Sequence, residues 1–157
     1  MIAASLPTVA SAGSPRALRA PALRIVSFDP PPSWERGATP PSTRLLATWS
    51  HASGARLTLA AEHVAGGVTA VRVFDDSRAS LEKQGWAIGK VERADGRVTV
   101  DAALDKGKRV ARQAYVVEGG FVYVVTMVAP ADQAADRGRD LDDAVRSLRL
   151  GDSDGDR

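Results

Sequence analysis

Two histidines, His51 and His63, are the only imidazoles among 157 residues, and there is no cysteine. That pair bounds the side-chain chemistry open to the chain. Without cysteine there is no thiol nucleophile, no thiolate zinc site, no disulfide framework and no cysteine-anchored lipid in the chain as given. His51 stands in a Gly/Ser-rich stretch (SHASGA) and His63 closes a strand-like run. Neither falls in H-E-x-x-H, in a histidine pair at helical spacing or beside a G-x-S-x-G elbow. A Ser-His-Asp site would have to be assembled in space around one of them, with nothing local to support it. Gly66-Gly67 and Gly119-Gly120 read as turn pairs rather than phosphate cradles. Asp152-Ser153-Asp154-Gly155-Asp156 imitates the opening of a calcium loop, yet no bidentate carboxylate follows it, so it reads as a solvated acidic tail. Asp75-Asp76 reads as a charged helix face. No catalytic residue, no metal ligand and no cofactor is expected.

Binding residues are a different matter. Trp34, Trp49 and Trp86 are the largest apolar groups. Trp34 follows a proline loop, and loops carry binding more often than cores do, so it is expected to line an exposed groove. Tyr115 alternates with Gln113 on one face of a strand, opposite Val116, and is expected to share a surface with it. Trp34, Trp86, Gln113 and Tyr115 are therefore the candidate partner-binding residues. Arg112 interrupts an apolar alternation (Val110, Ala114, Val116) and is expected to snorkel at a sheet end or to pair with an acid such as Asp101.

Bulk composition narrows the class. Hydrophobic content of 44% and charged content of 25% are ordinary for a globular protein large enough to bury a core. A net charge of +2 is too small to argue for a nucleic-acid partner. The basic cluster Lys106, Lys108, Arg109 and Arg112 carries no aromatic ladder and reads as a solvated turn. The longest apolar run falls well short of the roughly 20 residues that span a bilayer as a helix.

The elements follow from periodicity. Residues 1–21 hold small residues, Pro and Ser with no pattern. Ala10-Ser11-Ala12 resembles a cleavage step, so a signal peptide with its true start upstream and a disordered leader both fit. A short strand over 23–28 ends at Pro30-Pro31-Pro32, since proline donates nothing to a ladder. Residues 44–49 and 56–63 form a hairpin. After Gly66-Gly67 the period becomes helical. Val71, Phe74, Ala79 and Leu81 share one side of a helix over 69–84, and Gly85 suits the position just past its end. Strands follow over 86–93, 97–104, 109–117 and 121–128, with turns at Asp95-Gly96, Asp105–Lys108 and Gly119-Gly120. In the last strand, Phe121, Tyr123, Val125 and Met127 point one way and Val122, Val124, Thr126 and Val128 the other. Both faces are apolar, which predicts a central strand covered on both sides. Beyond Pro130 a second helix is expected, with Leu141, Val145 and Leu148 inward and Asp140, Asp142, Asp143 and Arg146 solvated. The whole reads as α+β: a mostly antiparallel sheet of about six to seven strands, flanked by helices on both faces.

That arrangement resembles a known group. Pro31-Pro32-Ser33-Trp34, a hairpin, then a helix ending Leu81…Gln84-Gly85-Trp86 is similar to the PsbP-like α/β/α sandwich. So is the closing run: Gln113-Ala114-Tyr115-Val116-Val117, a Gly turn, Val122-Tyr123-Val124-Val125-Thr126, Ala129-Pro130, then a helix ending Ser147-Leu148-Arg149-Leu150. Leu148 departs from the phenylalanine usual there. The resemblance covers roughly residues 22–150, which are expected to form one domain between the 1–21 leader and an acidic tail over 151–157. Its members include extrinsic photosystem II subunits, a Ran-binding import factor, bacterial envelope proteins and chaperones for secreted effectors. The resemblance implies a non-catalytic binding or adaptor module with a protein partner, no nucleic acid and no membrane span, acting as a monomer or weak oligomer. The leader adds an expected periplasmic or exported location. The alternative is a cytosolic chaperone or adaptor, and a small hydrolase is the remote one.

Overall fold

A computed structural model of the chain describes residues 25–39 and 44–151. The leader over 1–21, the start of the first strand at Leu23, Pro40-Pro41 and the acidic tail beyond Gly151 lie outside the described residues. The strands are β1 (Ile25–Ser27), β2 (Trp34–Arg36), β3 (Leu45–His51), β4 (Arg56–His63), β5 (Ala87–Ala94), β6 (Arg97–Leu104), β7 (Arg109–Glu118), β8 (Phe121–Pro130) and β9 (Arg149–Leu150). The helices are α1 (Ala70–Lys83) and α2 (Ala134–Ser147).

Seven strands form one antiparallel sheet in the order β2-β3-β4-β8-β7-β6-β5. The fold class expected from periodicity is therefore the one observed, with β8 in the middle position. Its alternation places Tyr123, Val125 and Met127 in the core under α2 and Val122 in the core under α1, with Val124 packed against it. A strand apolar on both faces has no stable place except between two layers.

The first strand is a correction. The run at 23–28 reads as one more strand of the sheet, but β1 stands outside it. β1 pairs with β9 in a separate two-stranded ribbon, Ile25 opposite Leu150 and Ser27 opposite Arg149. The sheet's true edges are β2 and β5.

α1 starts where Thr69 accepts from the Arg72 backbone N–H at 3.2 Å. It ends in two reversed bonds, Gly85 N–H to Glu82 C=O and Trp86 N–H to Leu81 C=O, with Gly85 at φ +99°. Its inward face is Ala70, Phe74 and Leu81, with Val73, Ser77 and Ser80 half-buried beside them. Ala79, expected on that face, is exposed. α2 buries Gly138, Leu141, Ala144 and Val145 against the other side of the sheet.

Candidate functional site: the cleft beside the first helix

The helices do not cover the sheet evenly. α1 lies over β5, β6 and β7, while α2 lies over β7 and β8. The α1 face of β3, β4 and β8 is therefore left open, and Thr48, Thr58, Ala60, Val124 and Thr126 there are only half-buried. Register lines these side chains up across the strands. One row runs Thr48, Thr58, Thr126, Gln113, and the next runs Leu45, Ala60, Val124, Tyr115. Cross-strand neighbours on one face stand within contact distance, so each row behaves as a unit.

Between that strip and α1 opens a cleft of about 550 Å³. Its helix wall is Ser77, Ser80 and Gln84, its floor includes Val124 and Thr126, and Arg44 and Glu62 close one end. Two serines stand where an amphipathic helix ordinarily places large apolar groups, so α1 cannot seal against the sheet. Under this wall, Gln113 and Tyr115 are 8% and 3% exposed. The Tyr115 hydroxyl donates to Gln113 Oε1 at 2.5 Å, and Gln113 Nε2 donates to Thr126 Oγ1 at 2.9 Å. Burial pushes the Tyr115 phenol well above its ordinary range, and a hydrogen bond from Ser77 opposes that rise. At the cleft end, Arg44 and Glu62 pair at 3.1 Å. Burial lowers the Arg44 guanidinium and the Glu62 charge raises it.

Of the four candidate binding residues, the structure brings together Gln113 and Tyr115. Trp34 is elsewhere, and its expected exposure in a groove is corrected. It belongs to β2, is 6% exposed and lies on the α2 face, where its Nε1 donates to Asp140 Oδ2 at 3.0 Å. The three prolines lead the chain into an edge strand rather than out into a loop. Asp140, expected in solvent, is accordingly drawn in, with Arg137 Nε at 3.1 Å from the same oxygen. Trp86 is half-buried against α1's last turn and borders a second hollow with Lys106, Lys108 and Arg109, adjoining the cleft at Gln84. Ser77, Ser80 and Thr126 were missed by sequence reasoning. The signal for them was serine recurring at helical spacing on an otherwise apolar face.

The other chemistry resolves as structure. His51 Nδ1 lies 2.9 Å from Ser53 Oγ and accepts the Ser53 N–H, while Arg137 Nη1 is against the ring. Asp140 bonds Trp34 and Arg137 rather than the imidazole, so the Ser53–His51 contact has no carboxylate orienting it and is no triad. His63 is exposed and edges onto Phe121. Arg112 pairs with Asp101 at 2.7 Å, as expected, and also with Asp142 at 2.9 Å. Burial works to lower this guanidinium, but hydrogen bonds and charge attraction from the two aspartates outweigh it, leaving it above the ordinary arginine range. Arg109 pairs with Asp105 at 3.0 Å, which offsets part of the basic turn. Among the described residues no three His, Asp or Glu side chains gather as metal ligands. No described helix is long and apolar enough to cross a membrane.

No protein-family model matches the sequence, and no curated protein matches it. Among solved structures, the solution structure of cyanobacterial PsbP (CyanoP) from Synechocystis sp. PCC 6803 is similar. It superposes with a TM-score of 0.56 at 14% identity, over 79% of this chain and 85% of that one. Seven antiparallel strands, a helix on each face and this superposition together give the chain the PsbP-like α/β/α sandwich fold.

Proposed function

We propose that the protein is a non-catalytic binding and adaptor module of the bacterial cell envelope. It holds a ligand in the cleft beside α1 and presents the surrounding face to a protein partner. The observation that carries this reading is the cleft itself: about 550 Å³, within the size range of ligand sites, with Gln113, Tyr115 and Thr126 linked beneath it. The Ala10-Ser11-Ala12 step supports export. The protein acts without nucleic acid, as a monomer or weak oligomer.

One experiment tests both halves. A photo-reactive residue at Ser80, on the cleft rim, is placed in the full chain in cells, which are then fractionated, and the native N-terminus is read by mass spectrometry. The expected result is a mature chain beginning near Gly13 in the envelope fraction, with a specific cross-link from position 80. A cross-link from exposed Asp143 on α2, on the opposite side of the sheet, with none from position 80 would remove the cleft from the proposal. An intact Met1 in the cytosol would remove the envelope.

A further inference from the structure

The polar atoms under α1 form a chain with a direction. Tyr115 donates to Gln113 Oε1, and Gln113 Nε2 donates to Thr126 Oγ1. The Thr126 hydroxyl accepts from Gln113 and keeps its own proton to donate, and that proton has no acceptor among the described residues. Thr126 is also the member that reaches the open cleft, on a floor with Val124 and beside Val73 and Leu81. A buried network ending in an unused donor asks for an acceptor at that point.

The charges decide which kind. Three ionisable side chains line the cleft with Tyr115, and each carboxylate has its cation. Glu62 is held by Arg44 at 3.1 Å, and Asp76 by Arg72 at 3.1 Å. Among the described residues no uncompensated charge faces the cavity. An anionic ligand would meet two carboxylates at the rim, and a cationic one would compete with arginines already in place.

We propose that the α1 cleft takes a small uncharged molecule with an apolar body and one carbonyl oxygen, seated with that oxygen on the Thr126 hydroxyl and the body along Val124, Val73 and Leu81. This rests on the cleft being the recognition site. It adds what the site recognises: a neutral amide, ester or ketone in preference to an acid or an amine of the same length.

The test is an NMR titration of the full-length protein, following methyl and amide signals, with three probes of matched chain length: N-hexylacetamide, hexanoate and hexylammonium. The expected result is saturable shifts at Thr126, Val124, Val73 and Ser80 with the amide, and binding about tenfold weaker for both ions. Thr126→Val should weaken the amide about fivefold, the worth of one neutral hydrogen bond, and Thr126→Ser should restore it. The serine variant keeps the donor and the acceptor for Gln113, so it remains informative if the valine variant folds poorly. Equal or tighter binding of either ion at the cleft, or full affinity in folded Thr126→Val, overturns the ligand class while the cleft stands. Shifts confined to other surfaces, or none with any probe, overturn the cleft as the recognition site as well.

Discussion

Trp34 Nε1 donates to Asp140 Oδ2 at 3.0 Å across a separation of 106 residues. A three-residue strand at the sheet's edge is thereby tied to the middle of the C-terminal helix. Neither partner is stable there alone. A buried indole N–H needs an acceptor, and a carboxylate at 17% exposure needs compensation, which Trp34 supplies as a hydrogen bond and Arg137 as an ion pair. The ring of His51 lies tilted against Trp34, with centroids 5.1 Å apart, and closes the corner. The cluster that holds candidate catalytic residue types is thus the join between β2 and α2.

This join sets the first expected outcome. Trp34→Phe keeps most of the buried area but leaves Asp140 with one donor fewer, and should lower stability by about 2 kcal/mol. Asp140→Ala should cost a similar amount. The double variant should lose markedly less than the sum, because the two share one interaction. Urea midpoints at unchanged slope measure this, and strict additivity would show that the bond contributes nothing.

A second outcome concerns Arg112, whose fork reaches Asp101 with Nη1 and Asp142 with Nε. This joins β7 to β6 and to α2 at one point. Arg112→Lys supplies a single ammonium and should lose about 1 kcal/mol, with Arg112→Met losing about 2 kcal/mol as two carboxylates are left together. Both aspartates are two-fifths exposed, and water tempers the cost. Thermal denaturation of both variants should rank native above lysine above methionine. A lysine variant as stable as the native protein would mean that charge alone matters.

How much of this was legible follows from the range of the interactions. The α1 boundaries, its Gly85 end, the hairpins and the two-sided β8 are written in local periodicity and turn residues, and all were readable. So was Arg112 with Asp101, because β6 and β7 are joined by a short turn that fixes which residues face each other. The pairing of β1 with β9 was not readable, since strands of three and two residues carry no period. Trp34 looked like a loop residue because its partner comes from α2, far along the chain. The cleft escaped for a related reason. Periodicity says that a helix covers a face, and not which strands it covers. Only the lateral offset of α1 toward β5, β6 and β7 leaves Thr126 in reach of a ligand. Serines at 77 and 80 were the local trace of that offset.

Gly138 offers a third outcome with a definite sign. It is buried inside α2, and a Cβ there would meet Arg112 Cδ at 3.5 Å, an ordinary contact. Gly138→Ala should therefore stabilise by about 0.5–1 kcal/mol, through lower entropy of the unfolded chain. The thermal midpoint of the alanine variant should rise accordingly. A fall for alanine would show that the helix cannot tolerate even a methyl against β7.

The last outcome is a pH dependence carried by Tyr115. Its phenol is pushed up in the folded protein, chiefly by burial, whereas the unfolded chain should ionise it near the ordinary value of about 10. Between those two values the folded state holds a proton that the unfolded state has lost. Its contribution to stability is therefore complete below about pH 10 and declines as pH rises through the window above. Tyr115→Phe abolishes this titration. It also leaves Gln113 Oε1 without its donor, so the variant should be less stable than the native protein at neutral pH. Its stability should nevertheless fall less steeply under alkaline conditions, and the two curves should converge. Urea midpoints collected from neutral to strongly alkaline pH would show this convergence. Parallel curves would mean that Tyr115 ionises in the folded protein as readily as in the unfolded one, and that burial under α1 does not hold its proton.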